Sequence, residues 1–459
     1  MGQSSLGRNN KSIVWLTIAV AVVISLFALW SKSPFGQAPT KLEAELKAAA
    51  SDGMPTGPDD LRRLSAVPSG QNAAPSLVIA FANLKTWSDS KEGKAFSKDL
   101  KAFRSGDPVD DGLMARIRKD VGSASKLLGL LSQADAFPRV DFRREWEKGP
   151  SLLLPQFASE KLACSLLLAR ARIQMADGDL EGGLQSMHAA AHLADLAGQE
   201  PMIIGYLVRS AMVHLVLRDL AAVIDSHPND LGVLERCRTV ALALGPSPDV
   251  RPAIGAELVS GRIAMNMIAK NPSAQLFGDN EPKMLMAARF GPTRTIFEWR
   301  YVQVMHELYR ALGRRPESFL AMHKAFVDVD NKLSSNADWT YAFAELMSPV
   351  FTNMSSALGE CQAMVNVTLC GIDLLEVRAK TGSFPLKLPG QVGQWTDPLT
   401  EKPMIYRPSA KGFLIYSVGP NGVDDGGKPR TVDSRDQEYD VPFQFPAAAV
   451  PSRPAKSKH

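Results

Sequence analysis

The sequence predicts a mainly α protein that ends in a small α+β unit. Three observations carry this. Apolar residues recur at helical spacing through most of the chain, as in Leu162, Leu166, Ala169 and Ile173. Near the C-terminus two short runs of strand formers, Met404 to Arg407 and Phe413 to Val418, flank the turn sequence Pro408-Ser409-Ala410-Lys411-Gly412. Near the N-terminus, Ile13 to Trp30 runs without a charge. The expected fold is therefore an N-terminal transmembrane helix, an α-solenoid-like or irregular helical body, and a C-terminal α+β module built on an antiparallel hairpin.

Ile13 to Trp30 is long enough to span a bilayer. Arg8 and Lys11 precede it, which places the short N-terminus in the cytoplasm and the rest outside. No small-x-small cleavage site follows Trp30, so an uncleaved signal-anchor is expected over residues 1–33, rather than a removed signal peptide. No cysteine follows either, which excludes a lipoprotein. Residues 34–75 are rich in Pro, Gly, Ser and Ala, with one helical patch at Leu42 to Ala50, and read as a flexible linker.

Residues 76–360 form the expected helical body. Ser76 to Phe81 reads equally as helix or strand. Lys161 to Gly198 is the clearest unit, two amphipathic helices around the turn Ala176-Asp177-Gly178-Asp179. Gly178-Asp179-Leu180-Glu181, with the small residues Gly183 and Ala190, resembles a tetratricopeptide repeat. The unit lacks that family's aromatic positions, and no period is sustained after it. Further helices are expected over Met202 to Ile224, Asp230 to Leu244, Ala253 to Ala269, Thr293 to Leu312, Pro316 to Lys332 and Trp339 to Val350. His227-Pro228-Asn229-Asp230 is an N-cap signal for the helix there, and Gly245-Pro246-Ser247-Pro248 is a break.

Composition excludes several functions. The 52 basic and 48 acidic residues nearly balance, and no basic stripe interleaved with aromatics appears, so nucleic acid is not an expected partner. The 4 cysteines are too few for a disulfide framework and read as buried thiols. Cys361 and Cys370 fall on opposite sides of a helix, and a Cys164–Cys237 pair stays open. There is no Walker loop and no Gly-x-Ser-x-Gly elbow. His188 and His192 share a helix face, but Ala-Ala-Ala between them removes the Glu of a zinc protease motif, so packed histidines are expected. His214, on an apolar helix, reads as structural. Glu145 and Glu147 flank Trp146 and diverge as solvated side chains.

The C-terminal module spans 361–446. Val365, Leu369, Ile372, Leu375 and Ala379 mark a helix face that Gly382 and Pro385 end. Asp397-Pro398 turns the chain into the hairpin. These residues resemble the C-terminal globular part of the major pseudopilins of type II secretion systems. The shared pattern is Thr381-Gly382-Ser383-Phe384-Pro385, a Leu-Pro, Asp397-Pro398, Lys402-Pro403-Met404-Ile405-Tyr406-Arg407, Gly412-Phe413 and Tyr416-Ser417-Val418-Gly419. The chain departs from that family in lacking the pilin-type N-terminus and in placing its membrane-length segment far upstream. It is similar in plan to multi-domain bacterial proteins that carry this ending after a long helical region. The resemblance implies calcium in the loop after the second strand, held by Asn421, Asp424, Asp425, Asp433 and Asp436. Composition is compatible with that: calcium takes six to eight oxygens, and Gly419, Gly422, Gly426 and Gly427 let backbone carbonyls turn toward an ion. A solvated acidic turn is the other reading. The tail, 447–459, is polar and expected to be disordered.

Two functions follow as expectations. One is a membrane-anchored extracytoplasmic scaffold that binds a protein partner, by analogy with the module one of envelope or secretion machinery. The other is an envelope-polymer hydrolase. A deep cleft with convergent carboxylates would mark the hydrolase, and a shallow groove with mixed apolar and polar lining the scaffold.

Overall fold

A computed structural model describes residues 31–103, 109–152, 154–270, 289–313, 318–336, 338–390, 394–430 and 438–447, with Val22, Ser25 and Leu29. The helices are α1 (Pro34–Ser51), α2 (Pro58–Ser65), α3 (Ala74–Asp89), α4 (Lys91–Phe103), α5 (Asp111–Ser123), α6 (Ser125–Gln133), α7 (Pro155–Ala176), α8 (Leu180–Ala197), α9 (Ile203–Ser226), α10 (Leu231–Leu242), α11 (Arg251–Lys270), α12 (Gly291–Ala311), α13 (Phe319–Ser334), α14 (Ala342–Met347) and α15 (Pro349–Thr381). The strands are β1 (Ile405–Pro408), β2 (Phe413–Ser417) and β3 (Val441–Phe445). The protein is thus mainly helical with one small antiparallel sheet. The anchor segment Ile13 to Trp30 lies almost wholly outside the described residues. Among the described residues no helix is long and apolar enough to cross a membrane.

The helical hairpin forms where the pattern places it. Gly178 turns the chain with φ 83°, and Asp179 caps α8 by accepting the Gly182 N–H at 2.9 Å. A Cβ at Gly183 would lie 2.6 Å from Met175 Cγ, so only glycine permits this approach of α8 to α7. Asp230 likewise caps α10 by accepting from Gly232 and Val233. Ser76 to Phe81, open between helix and strand by pattern, belongs to the helix α3, and α4, α5 and α6 follow it. Trp339 to Val350 is not one helix: a 3-10 turn at Trp339–Tyr341 leads into α14, and Pro349 starts α15.

The flexible linker over 34–75 is not observed. Residues 34–65 form α1 and α2, and Ala38, Ala49, Met54 and Leu61 are buried. Arg262 donates to the Thr56 carbonyl at 2.9 Å, and Pro55 sits so close to Gly255 of α11 that a Cβ there would clash. The residues that signalled a tether are helix punctuation. Pro34 and Pro58 occupy first-turn positions, and Gly53 makes the turn after α1 with φ 85°.

The expected boundary at 360/361 falls inside α15, a continuous helix of 33 residues that is about 50 Å long. Its first half (Phe351, Met354, Leu358) belongs to a core shared with α1, α11, α12 and α13. Its second half (Cys361 to Leu375) joins the core of α3 to α10, and Ile415, Val441 and Phe443 of the sheet belong to that same core. The C-terminal unit is therefore fused to the body.

The hairpin has the expected strands, paired Ile405↔Tyr416 through Pro408↔Phe413. A third strand, unexpected from sequence, adds β3 beside β2 with Phe413↔Phe445. Pro442 is tolerated because β3 is an edge strand. Phe413 sits among Phe384, Phe443, Phe445 and Tyr406 at centroid distances of 5.3 to 6.2 Å. Gly371 of α15 lets Phe443 seat against the helix backbone; a Cβ there would lie 2.5 Å from Phe443 Cε1.

Candidate functional site

The acidic loop leaves β2 at Gly419. Its foundation is two buried carboxylates. Asp397 accepts hydrogen bonds from the Leu399 N–H (2.8 Å), the Ser417 hydroxyl (2.8 Å) and the Val418 N–H (3.0 Å). Asp440 accepts from the N–H groups of Asp425 (3.3 Å) and Gly427 (2.5 Å). Burial raises the Asp440 pKa against the effect of those bonds.

Asn421, Asp424 and Asp425 come together on this foundation. Asn421 Nδ2 donates to Asp425 Oδ2 at 2.9 Å, and the Asn421 amide oxygen accepts the Val423 N–H. Asp424 Oδ1 accepts the Gly426 N–H at 2.9 Å and the Tyr416 hydroxyl at 2.8 Å, which lower its pKa. Arg407 lies 3.6 Å from the other Asp424 oxygen. Asp433 and Asp436 lie outside the described residues. Asn421 Oδ1, Asp424 Oδ1 and Asp425 Oδ2 thus each accept a hydrogen bond from the loop or from Tyr416, and no cluster of three or more potential metal-ligating side chains is found among the described residues.

The histidines have structural partners. His188 Nδ1 lies 3.2 Å from Asp135, and this bond raises its pKa. His192 Nε2 meets the Phe137 carbonyl at 2.9 Å. Both rings pin α8 to the segment running from Asp135 to Phe137.

His214, Glu360 and Cys361 meet in an order that invites a catalytic reading. His214 Nε2 is 3.3 Å from Glu360, and Nδ1 is 3.9 Å from Cys361 Sγ. However, Nδ1 is only 2.8 Å from the Ser210 carbonyl, and the thiol itself points at that carbonyl. A nitrogen donating to a carbonyl cannot take the thiol proton, and Cys361 is buried. Glu360 also accepts from Tyr439 (3.1 Å) and pairs with Arg430, so the cluster fastens α9, α15 and the acidic loop together. Burial alone would lower the His214 pKa, but its bonds to Cys361 and Glu360 raise it to about 10.

Three further carboxyls were not singled out from sequence. Arg144 binds Glu200 through two bonds of 2.7 Å. Glu160 lies beside this pair, 2% exposed, with Oε2 unbonded; burial, then the Glu200 charge, hold its pKa well above the ordinary range. Glu257 reaches about 7 through burial, but it lines a cavity of only about 40 Å³ in which no other titratable side chain appears among the described residues. Of the two carboxylates beside Trp146, Glu145 pairs with Lys148 and Glu147 with Arg62.

A cleft of about 410 Å³ lies between the end of α8, the start of α9 and the Gly245–Asp249 break. Pro201, Pro246, Pro248 and Pro252 supply apolar walls, and Arg139, Gln199 and Tyr206 the polar ones. Arg209 builds it, donating to the carbonyls of Leu244 (2.9 Å), Gly245 (3.3 Å) and Pro246 (3.2 Å). An arginine within the apolar run Ile203 to Ile224 was the one sequence signal for this place. The two carboxylates of the cleft are committed: Asp195 to Gln199 at 2.9 Å and Asp249 to Arg251.

Comparison with protein-family profiles, curated proteins and solved structures finds no match to this chain.

Proposed function

We propose that this protein is a membrane-anchored extracytoplasmic helical scaffold that holds a protein partner. The observation that carries the reading is the cleft lining. A groove walled by four prolines and Tyr206, with its carboxylates already bonded, suits an extended polypeptide segment better than acid–base chemistry, which needs a free carboxyl beside the scissile bond. Anchoring through Ile13 to Trp30 is supported by the length and purity of that apolar run. A place beside envelope or secretion machinery rests on the pseudopilin resemblance of the sheet unit. Calcium in the loop, through Asn421, Asp424, Asp425, Asp433 and Asp436, rests on the same resemblance; if it binds, it supplies positive charge that lets these carboxylates lie together.

The test is recovery of the intact protein from its native membrane with its partners cross-linked. One protein co-purifies with the wild type and is lost from a variant carrying Arg139→Glu and Pro248→Glu, which adds two charges to the cleft without touching the core. Recovery of no partner, together with turnover of a cell-wall fragment, would replace this reading with the hydrolase one.

A further inference from the structure

α1 and α12 lie side by side and run parallel. Lys41 stacks on Trp299 at 4.8 Å, Glu45 and Asp52 hold His306 at 2.6 and 2.8 Å, and the Tyr309 hydroxyl donates to the Gly53 carbonyl. Both helices therefore begin at the same end of the molecule. That end carries two large exposed aromatic side chains, Phe290 (64% exposed) at the N-cap of α12 and Trp339 (51% exposed). Trp339 is fixed there by edge-on contact with Phe297 at 5.4 Å and by Phe35 at 6.3 Å. Next to it Arg300 is stacked on Trp299 and Tyr341, at 4.0 and 4.5 Å.

Exposed aromatics held rigidly at the end of a body cost solvation unless something covers them. The charge around them indicates what does. Lys32, just before α1, and Arg294, in the first turn of α12, belong to this end. The nearby carboxylates are neutralised, Asp338 by Arg300 and Glu298 by Arg262. Exposed aromatic rings accompanied by basic side chains match the lipid interface, where indole and phenyl groups settle among headgroups and cations meet phosphate. The chain supplies the location. On the anchored reading the apolar segment ends at Trp30, a few residues before α1 begins at Pro34, so this end of the body lies next to the bilayer.

We infer that the end of the body bearing Phe290, Trp339 and Phe35 rests in the outer headgroup layer of the membrane, so that the protein stands on the bilayer through this aromatic–basic foot as well as through its anchor. The inference rests on the anchored reading and adds an orientation to it. The cleft and the acidic loop then have a defined position relative to the lipid.

The experiment uses the full chain in vesicles of phosphatidylcholine and phosphatidylglycerol, with photoreactive benzoylphenylalanine placed singly at Phe290, Trp339, Val78 and Leu386. All four positions are exposed and apolar, so the replacement leaves the core intact. Irradiation gives phospholipid adducts at 290 and 339 and none above background at 78 and 386. Equal adduct yield at the four positions, or none at 290 and 339 while the chain resists alkaline carbonate extraction, overturns the foot and leaves the anchor standing. Release of the chain by carbonate overturns both.

Discussion

Replacing Asp397 tests how the loop is held. Its carboxylate is 1% exposed and serves three donors, the Ser417 hydroxyl, the Val418 N–H and the Leu399 N–H. Asp397→Ala leaves Ser417 and Val418, both buried, without an acceptor. Each orphaned donor costs about 1–3 kcal/mol, giving roughly 2–6 kcal/mol, with Leu399 adding less because it reaches the surface. Asp397→Asn keeps Oδ1 for Ser417 and Leu399 but turns an amide N–H toward Val418, so it costs one such interaction, about 1–3 kcal/mol. The assay is amide hydrogen exchange of β2 in the intact chain, which reads the local unit without requiring two-state melting. At 1.4 kcal/mol per factor of ten, Asp397→Ala accelerates exchange at Phe413 to Val418 about 30-fold to 10⁴-fold, and Asp397→Asn about five- to 100-fold. Alanine and wild type exchanging within a factor of two would refute the reasoning, as would asparagine proving worse than alanine.

Calcium is tested on the whole chain, because the sheet shares its core with α3 to α10. Calcium raises the melting temperature over that in chelator, and Asp424→Ala with Asp425→Ala removes the increment; identical melts with and without calcium end the proposal. His214 sets an alkaline limit. Its folded pKa of about 10 lies above the ordinary 6.5, so its contribution is complete below pH 6.5 and is lost as pH rises toward 10. His214→Gln therefore lowers the melting temperature at pH 6.5 and narrows its gap to wild type near pH 10, and a pH-independent gap would contradict this. Arg144→Ala leaves the buried Glu200 carboxyl without its cation beside Glu160 and destabilises by about 3–5 kcal/mol in denaturant titration. Adding Glu200→Gln restores most of that loss, and failure to restore it would show that packing, not charge, dominates.

The sequence by itself determined the helices of the middle and the hairpin, because both depend on local periodicity and punctuation. Leu162 to Ile173 repeats at helical spacing, Gly178 and Asp179 turn and cap, and Phe413 to Val418 alternates beside a Pro-to-Gly turn. It also brought Asn421, Asp424 and Asp425 into one loop, since they are neighbours in the chain. The tertiary structure decided what depends on partners distant in sequence. Pro34, Gly53 and Pro58 read the same in a tether as at helix ends, and only the buried Ala38, Ala49 and Leu61 distinguish the two. Cys361 looked like the start of a module, yet α15 runs through it and joins two cores. Val441 to Phe445 became a strand because β2 offered a free edge and Gly371 a seat for Phe443. The cleft needed Arg209 to gather three carbonyls from a loop more than thirty residues away, and the aromatic end needed α1 and α12 side by side. Periodicity records what each residue does for its own helix or strand; contacts of long sequence separation leave no such record, and those contacts shape the sites.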